Sequence, residues 1–134
     1  MKKILLLSLF LFSLYGNAQK KTIPKKENTT IYSTDEIAHQ PEFITGTEGF
    51  YYFFNQQFNR KALIGAPKEK LSATATFIIE KDGSLSYIKI LKDPGFGFAK
   101  EALRILKTSP KWKPGLNGGQ KVRTSYSLPI TINP

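Results

Sequence analysis

Residue types that carry out catalysis are scarce in this chain. It has a single histidine, His39, and no cysteine, which excludes thiol chemistry, disulfides and cysteine-ligated metal. Three glutamates, Glu36, Glu42 and Glu48, show no pairing, and neither a nucleophile elbow nor a glycine-rich phosphate loop occurs. An enzyme needs acid, base or nucleophile groups that converge on one site. The sequence therefore predicts a protein that is not an enzyme and has no metal site and no cofactor.

Positive charge is the second feature with chemical consequences. The formal net charge is +10, with 20 lysines and arginines against 10 acidic residues. Four lysines accompany the last predicted helix and the loop after it: Lys107, Lys111, Lys113 and Lys121. Such a region is either a solvated surface or a contact for an anionic polymer, here peptidoglycan or anionic lipid. Nucleic acid is not the expected partner, because the chain begins with an export signal.

The N-terminal segment has the three parts of a signal peptide. Lys2 and Lys3 precede the apolar run Ile4–Tyr15, and Gly16-Asn17-Ala18 supplies the small residues that a signal peptidase reads. The apolar run is shorter than the roughly 20 residues that a transmembrane helix needs. We predict a signal peptide over residues 1–19 and an exported, periplasmic protein that is soluble after cleavage. An inner-membrane anchor is the alternative.

Residues 20–40 show no sustained helical or strand period, so we predict a flexible leader with a short extended piece at Thr30–Tyr32. Residues 41–134 are expected to form one domain. Two helices are predicted in it. The first follows a capping-box pattern at Thr45 and Glu48. Its apolar face comprises Phe50, Phe54 and Phe58. The second covers Phe98–Thr108 and stops before Pro110. Its apolar face comprises Phe98, Ala102, Ile105 and Leu106.

Three strands complete the predicted domain. Apolar and polar residues alternate over Ser72–Glu80, the Asp82-Gly83 turn follows, and Leu85–Leu91 returns as the second strand of a hairpin. The final strand is Val122–Ile132, and Pro129 near its end indicates an edge position. The element order predicts an α+β fold, with a three-stranded antiparallel sheet and two helices packed on one of its faces.

Aromatic residues have two interpretations. The run from Phe50 to Phe54 either forms core with a tyrosine rim or stacks on sugars. Trp112, close to Pro114, either covers the open end of a small core or forms a ligand platform. The core interpretation is favoured for both, and Phe77 and Ile105 are expected to pack sheet against helix.

A series of different short motifs lies along the second half of the chain. They are Phe77-Ile-Ile-Glu-Lys-Asp-Gly-Ser-Leu, Ile88-Lys-Ile-Leu, Glu101-Ala-Leu-Arg, Ser109-Pro-Lys-Trp-Lys-Pro-Gly, Asn117-Gly, Val122-Arg and Leu128-Pro-Ile. In this order and at these spacings they resemble the C-terminal domain of TonB, over about residues 41–132. The resemblance implies a domain that binds the TonB box of an outer-membrane receptor by adding it as a strand, in TonB-dependent transmembrane transport.

Three departures from that family bear on function. A cleavable signal stands where TonB has its anchor helix, and a short leader replaces the long proline-rich spacer. Arg60-Lys61 stands where many members carry Tyr-Pro. The resemblance therefore supports the binding step without force transduction.

The final strand is the candidate binding site. An edge strand exposes unpaired N–H and C=O groups that a peptide can satisfy by strand addition. The candidate residues are Val122, Arg123, Thr124, Ser125, Tyr126, Ser127 and Leu128. We expect the N–H of either Thr124 or Ser125 to point outward. The alternative is a strand covered by its own chain or by a second copy in a homodimer.

Three functional hypotheses follow. The first is a periplasmic domain that binds a peptide segment of an outer-membrane or envelope protein. The second is a structural protein that uses its basic face on the cell wall or anionic lipid. The third is an energy transducer that keeps its N-terminal helix as an anchor.

Overall fold

The computed structural model describes residues 28–134. The predicted signal peptide and the first part of the predicted leader lie outside the described residues. Within residues 28–134, no helix is both long enough and apolar enough to cross a membrane. The helices and strands, in chain order, are β1 (Ile31–Tyr32), α1 (Gly46–Gln57), β2 (Leu71–Ile79), β3 (Leu85–Leu91), α2 (Phe98–Lys107), β4 (Gly115–Asn117) and β5 (Gln120–Ile132).

The sheet is built around the predicted hairpin and final strand. Its strand order is β1-β5-β2-β3, with β2 antiparallel to both β3 and β5. The α+β fold class is confirmed, with its antiparallel centre and its two helices. The extended piece predicted at Thr30–Tyr32 contains β1, but its parallel pairing with β5, which makes the sheet mixed, was not predicted. Strand β4, which pairs with the start of β5, was not predicted either. Strands of two or three residues are too short to show a period in the sequence.

The core lies between the helices and one face of the sheet. Residues of β2 alternate between buried and more exposed positions, as the sequence pattern predicts. The main buried residues are Phe50 and Phe54 of α1, Phe98, Ala102, Ile105 and Leu106 of α2, Ala75, Phe77 and Ile79 of β2, and Leu128, Ile130 and Ile132 of β5. The opposite face of the sheet carries the polar alternates.

Helix α1 begins differently from the prediction. Thr45 is its N-cap residue, but the Thr45 side chain makes no capping hydrogen bond, so the predicted capping box with Glu48 does not form. The reason lies in the backbone. Gly46 has φ +80, and Thr45 lies outside the extended region that directs an N-cap side chain toward the first turn.

Glu101 is a buried charge on α2 that fixes the two helices relative to each other. Its carboxylate accepts the N–H of Asn59 at 2.9 Å and is paired with Arg104. Arg104 also donates to the carbonyl of Gln57 at 2.9 Å, at the end of α1. The hydrogen bonds from Arg104 hold the pKa of Glu101 below its ordinary value. The charge is therefore satisfied where α2 meets the end of α1.

Trp112 is part of the core. Its side chain is 4% exposed, and its ring centroid lies 5.4 to 5.5 Å from those of four aromatic residues. These are Phe43, Phe50, Phe77 and Tyr126. The indole N–H donates to Ser109 Oγ at 3.1 Å. A ligand-platform role is thus wrong, because the ring faces are occupied by the protein itself.

Candidate partner-binding edge

Strand β5 has one buried and one solvent-facing row of side chains. Thr124, Leu128 and Ile130 are buried, whereas Ser125 and Ser127 are exposed. The seven predicted site residues, 122–128, all lie on this strand. They therefore alternate between the core and the outer face of the sheet.

Pro129 reveals which backbone groups of β5 point away from β2. It stands opposite Thr74, and because proline has no N–H, this pair cannot exchange two ladder hydrogen bonds. The Pro129 carbonyl instead accepts the hydroxyl of Tyr51 at 2.9 Å. Bonded and non-bonded pairs alternate in an antiparallel ladder. The backbone groups of Ser125 and Ser127 therefore point outward, on the side that we call the outer edge of β5.

The same alternation decides between the two predicted positions for an outward N–H. Thr124 stands opposite Ile79, which is a hydrogen-bonding position, so its N–H faces β2. Ser125 stands opposite Ile78, which is a non-bonding position, so its N–H faces the outer edge.

Part of the outer edge is covered by the chain itself. Ile31 pairs with Arg123 and Tyr32 with Thr124 in the parallel strand β1. Ser125 Oγ donates to the Tyr32 carbonyl at 3.3 Å. The predicted edge position thus holds only beyond the N–H of Ser125, and the alternative of coverage by the chain's own residues applies from Arg123 to that N–H.

Arg123 connects β1 to the hairpin. Its Nη1 donates to the Thr29 carbonyl at 3.1 Å. Its Nε and Nη2 donate to the two carboxylate oxygens of Glu80 at 2.7 and 3.0 Å. These bonds from Arg123 hold the pKa of Glu80 below its ordinary value, so the pair is charged at neutral pH.

Beyond β1, the outer edge of β5 is open. No strand among residues 28–134 pairs with this side of β5 after Thr124. The far limit is Pro129, which lacks an N–H and whose carbonyl is taken by Tyr51. At about 3.3 Å per residue, the stretch from Ser125 to Pro129 is about 13 Å long. We call residues 125–129 the open stretch.

A groove of ≈ 870 Å³ runs beside the open stretch on the solvent-facing side of the sheet. Its lining includes Ile31, Thr34, Ile78, Tyr87, Arg123 and Ser127. In an added strand, alternate side chains would project toward this face of the sheet. The groove can therefore receive every second side chain of a peptide bound at the open stretch.

The other predicted residues lie outside this edge. The side chains of Lys107, Lys111, Lys113 and Lys121 are all exposed. Lys111 Nζ is 3.7 Å from a carboxylate oxygen of Asp82. His39 is exposed and exchanges backbone hydrogen bonds with Leu116. Within residues 28–134, no group of histidine and acidic side chains is placed to hold a metal ion.

The fold is that of a small α+β domain with a partly open sheet edge. Residues 72–133 match the family model of the Gram-negative bacterial TonB protein C-terminal, so this part of the chain is similar to that domain. The resemblance found in the sequence is thereby confirmed. No curated protein matches the chain. Residues 72–133 are thus TonB-like, and TonB C-terminal domains are protein-interaction domains that act with outer-membrane proteins.

Proposed function

We propose that this protein is a periplasmic, non-enzymatic domain that binds an extended, TonB-box-like peptide segment of an outer-membrane or envelope protein. The peptide adds as a strand to the outer edge of β5, in connection with TonB-dependent transport. The observation that carries the proposal is the open stretch. There the backbone N–H and C=O of Ser127 point away from β2, and no strand of the described chain lies on that side of Ser127.

An extended peptide fits this site better than a folded partner surface. Outward backbone groups recur at every second residue, and another strand satisfies such a row most completely. Main-chain hydrogen bonds then provide affinity, and the groove beside Tyr87 and Ile78 selects side chains. Each hydrogen bond contributes only about 0.5–1.5 kcal/mol net, so binding through so short an edge is weak and reversible.

Ser127→Pro is the direct test. Proline removes the outward N–H of residue 127, and Pro129 shows that this strand accepts proline at a position of the same alternation. We expect the variant to bind synthetic peptides from receptor N-termini at least about tenfold more weakly, a loss of about 1.4 kcal/mol. Amide chemical-shift titration of both proteins with each peptide measures the difference.

Ser127→Ala is the matched control. It shortens an exposed side chain and keeps the N–H, so its affinity should stay within about twofold of the wild type. Circular dichroism must show that both variants are folded. The proposal is wrong if the wild type binds none of the peptides, or if Ser127→Pro binds them as well as Ser127→Ala does. Thr124→Pro is unsuitable, because it removes a ladder bond to β2.

A further inference from the structure

Strand β1 occupies the part of the outer edge that adjoins the open stretch. The parallel register places the Tyr32 N–H toward the Arg123 carbonyl, and the Tyr32 carbonyl toward the N–H of Ser125. The N–H of Ile31, one residue earlier, points away from β5. Tyr32 is therefore the residue through which β1 holds the edge.

The open stretch alone gives a partner little to bind. Pro129 closes one end, and β1 takes the outward N–H of Ser125 at the other. Ser127 is then the one residue between these limits with both backbone groups directed outward and unpaired in the described chain. A peptide that also took the place of β1 would gain the outward groups of Arg123 and Ser125. The bound length would increase from about 13 to about 20 Å, at 3.3 Å per residue.

The contacts of β1 are those of a segment that can leave. It has two residues, and Ile31 remains 44% exposed. Beyond the ladder, hydrogen bonds from Arg123 to Thr29 and from Ser125 to Tyr32 hold it. The first residue after it that is buried is Ile37, which packs near Gly115. Residues 28–33 can thus detach while Ile37 keeps the following segment on the domain.

We infer that residues 28–33, which we call the leader strand, are a built-in competitor of the partner peptide. The leader strand occupies the outer edge at Arg123–Ser125 in the unbound protein, and the peptide displaces it. This inference rests on the proposed function. Its consequence is quantitative, because the apparent Kd for the peptide equals the intrinsic Kd divided by the fraction of molecules whose edge is free.

Tyr32→Pro tests the inference. It removes the N–H that faces Arg123, and it should weaken the leader strand without touching β5. We expect the peptide to bind about five- to tenfold more tightly than to the wild type, because the edge is free in more molecules. Without peptide, amide hydrogen exchange at Ser125 should accelerate, since the Tyr32 carbonyl no longer protects that N–H.

Two variants serve as controls. Ile31→Pro introduces proline at a position whose N–H points away from β5. Tyr32→Ala removes the tyrosine ring but keeps the N–H that faces Arg123. Both should bind the peptide within about twofold of the wild type. In the wild type, peptide titration should shift the amide signals of residues 29–32 toward those of Tyr32→Pro.

The outcomes separate this inference from the proposed function. Peptide affinity that is equal in wild type and Tyr32→Pro, or lower in the variant, overturns the competitor role and leaves strand addition in place. Absence of peptide binding in all four proteins overturns the proposed function and the competitor role with it.

Discussion

The two long outer strands of the sheet avoid unwanted pairing in different ways. Strand β3 is itself irregular. Its register against β2 shifts between Thr76 and Ile78, and Tyr87 has φ +49, as in a β-bulge. Strand β5 keeps a regular register over its whole pairing with β2, and a separate segment, β1, covers part of it. The edge at β3 thus carries an irregularity within the strand, whereas the outer edge of β5 is covered in part by a separate segment.

The edge at β3 is also tied to the core, through the β2–β3 turn. Gly83 in the β2–β3 turn is buried and has φ +85. Its carbonyl accepts the N–H of Trp112 at 2.8 Å. A Cβ on Gly83 would lie 2.0 Å from the backbone oxygen of Trp112. The hairpin and the Trp112 loop can therefore meet only if residue 83 is glycine.

The largest predicted effect comes from disrupting this contact. Gly83→Ala puts an alanine in the left-handed backbone region and forces the turn away from the Trp112 backbone. We expect the free energy of unfolding to fall by about 3–5 kcal/mol, the range of core disruption. Urea titration monitored by Trp112 fluorescence measures it.

Gly95→Ala is the control for the backbone strain alone. Gly95 has φ +88, almost the same as Gly83, but an added Cβ would meet nothing within 4 Å. Its cost should stay near about 1–2 kcal/mol. Equal losses for the two variants would show that the close approach to Trp112 contributes nothing, and that the β3 edge is not fixed in this way.

A smaller loss of stability is expected at low pH, through the ion pair beside the outer edge of β5. Glu80 faces Arg123, with Asp82 and Ser86 close by, and its pKa lies below the ordinary glutamate value of 4.5 because Arg123 donates to it. A lowered pKa contributes stability that is present above pH 4.5 and is lost as the pH falls through the lowered value. The leader strand should loosen over the same range, since Arg123 also holds Thr29.

Glu80→Gln separates this pair from other acid effects. At pH 7 the variant should be less stable than the wild type by about 1 kcal/mol, the upper range for a partly exposed pair. The difference should shrink as the pH is lowered from 5 to 3, in parallel urea titrations. A difference that is constant with pH would mean that the ion pair with Arg123 does not stabilise the fold.

The sequence predicted the elements with a clear period and missed those without one. Alternation identified β2, and the apolar spacing of Phe98, Ala102 and Ile105 identified α2, because burial on one face repeats along the chain. The extended piece at Thr30–Tyr32 was predicted, but its pairing with Arg123 and Thr124 was not, because those residues lie far along the sequence. The close approach of Gly83 to Trp112 likewise depends on three-dimensional packing, which local patterns do not encode.

The candidate site was predicted as a strand but not as an edge with two parts. Pro129 correctly indicated that one side of β5 is free of ladder bonds there. Which N–H points outward depends on the register against β2, and register cannot be read from β5 alone. The hydrogen bond from the Tyr51 hydroxyl to the Pro129 carbonyl, which ends the open stretch, could not be predicted either, because Tyr51 lies on α1.

The smallest predicted effect concerns the exposed lysines, which lie outside both edges. The alternative function, binding to peptidoglycan or anionic lipid, predicts that the protein sediments with these polymers at low salt. Binding should weaken steeply as salt rises, because exposed charges are screened within about 10 Å at 0.1 M salt. A variant with four Lys→Gln changes should lose this binding. The changed residues are Lys107, Lys111, Lys113 and Lys121.

The same variant distinguishes the function of the four lysines from that of the outer edge of β5. The lysines are exposed, so their replacement should change the free energy of unfolding by less than about 0.5 kcal/mol each. Peptide affinity at the open stretch should stay within about twofold, since none of the four lies between Ser125 and Pro129. If the variant lost the peptide but kept the polymer, the lysines would belong to the peptide site, and the division between edge and basic surface would be wrong. Salt-insensitive polymer binding, or none, would leave them as solubilising residues, with function confined to β5.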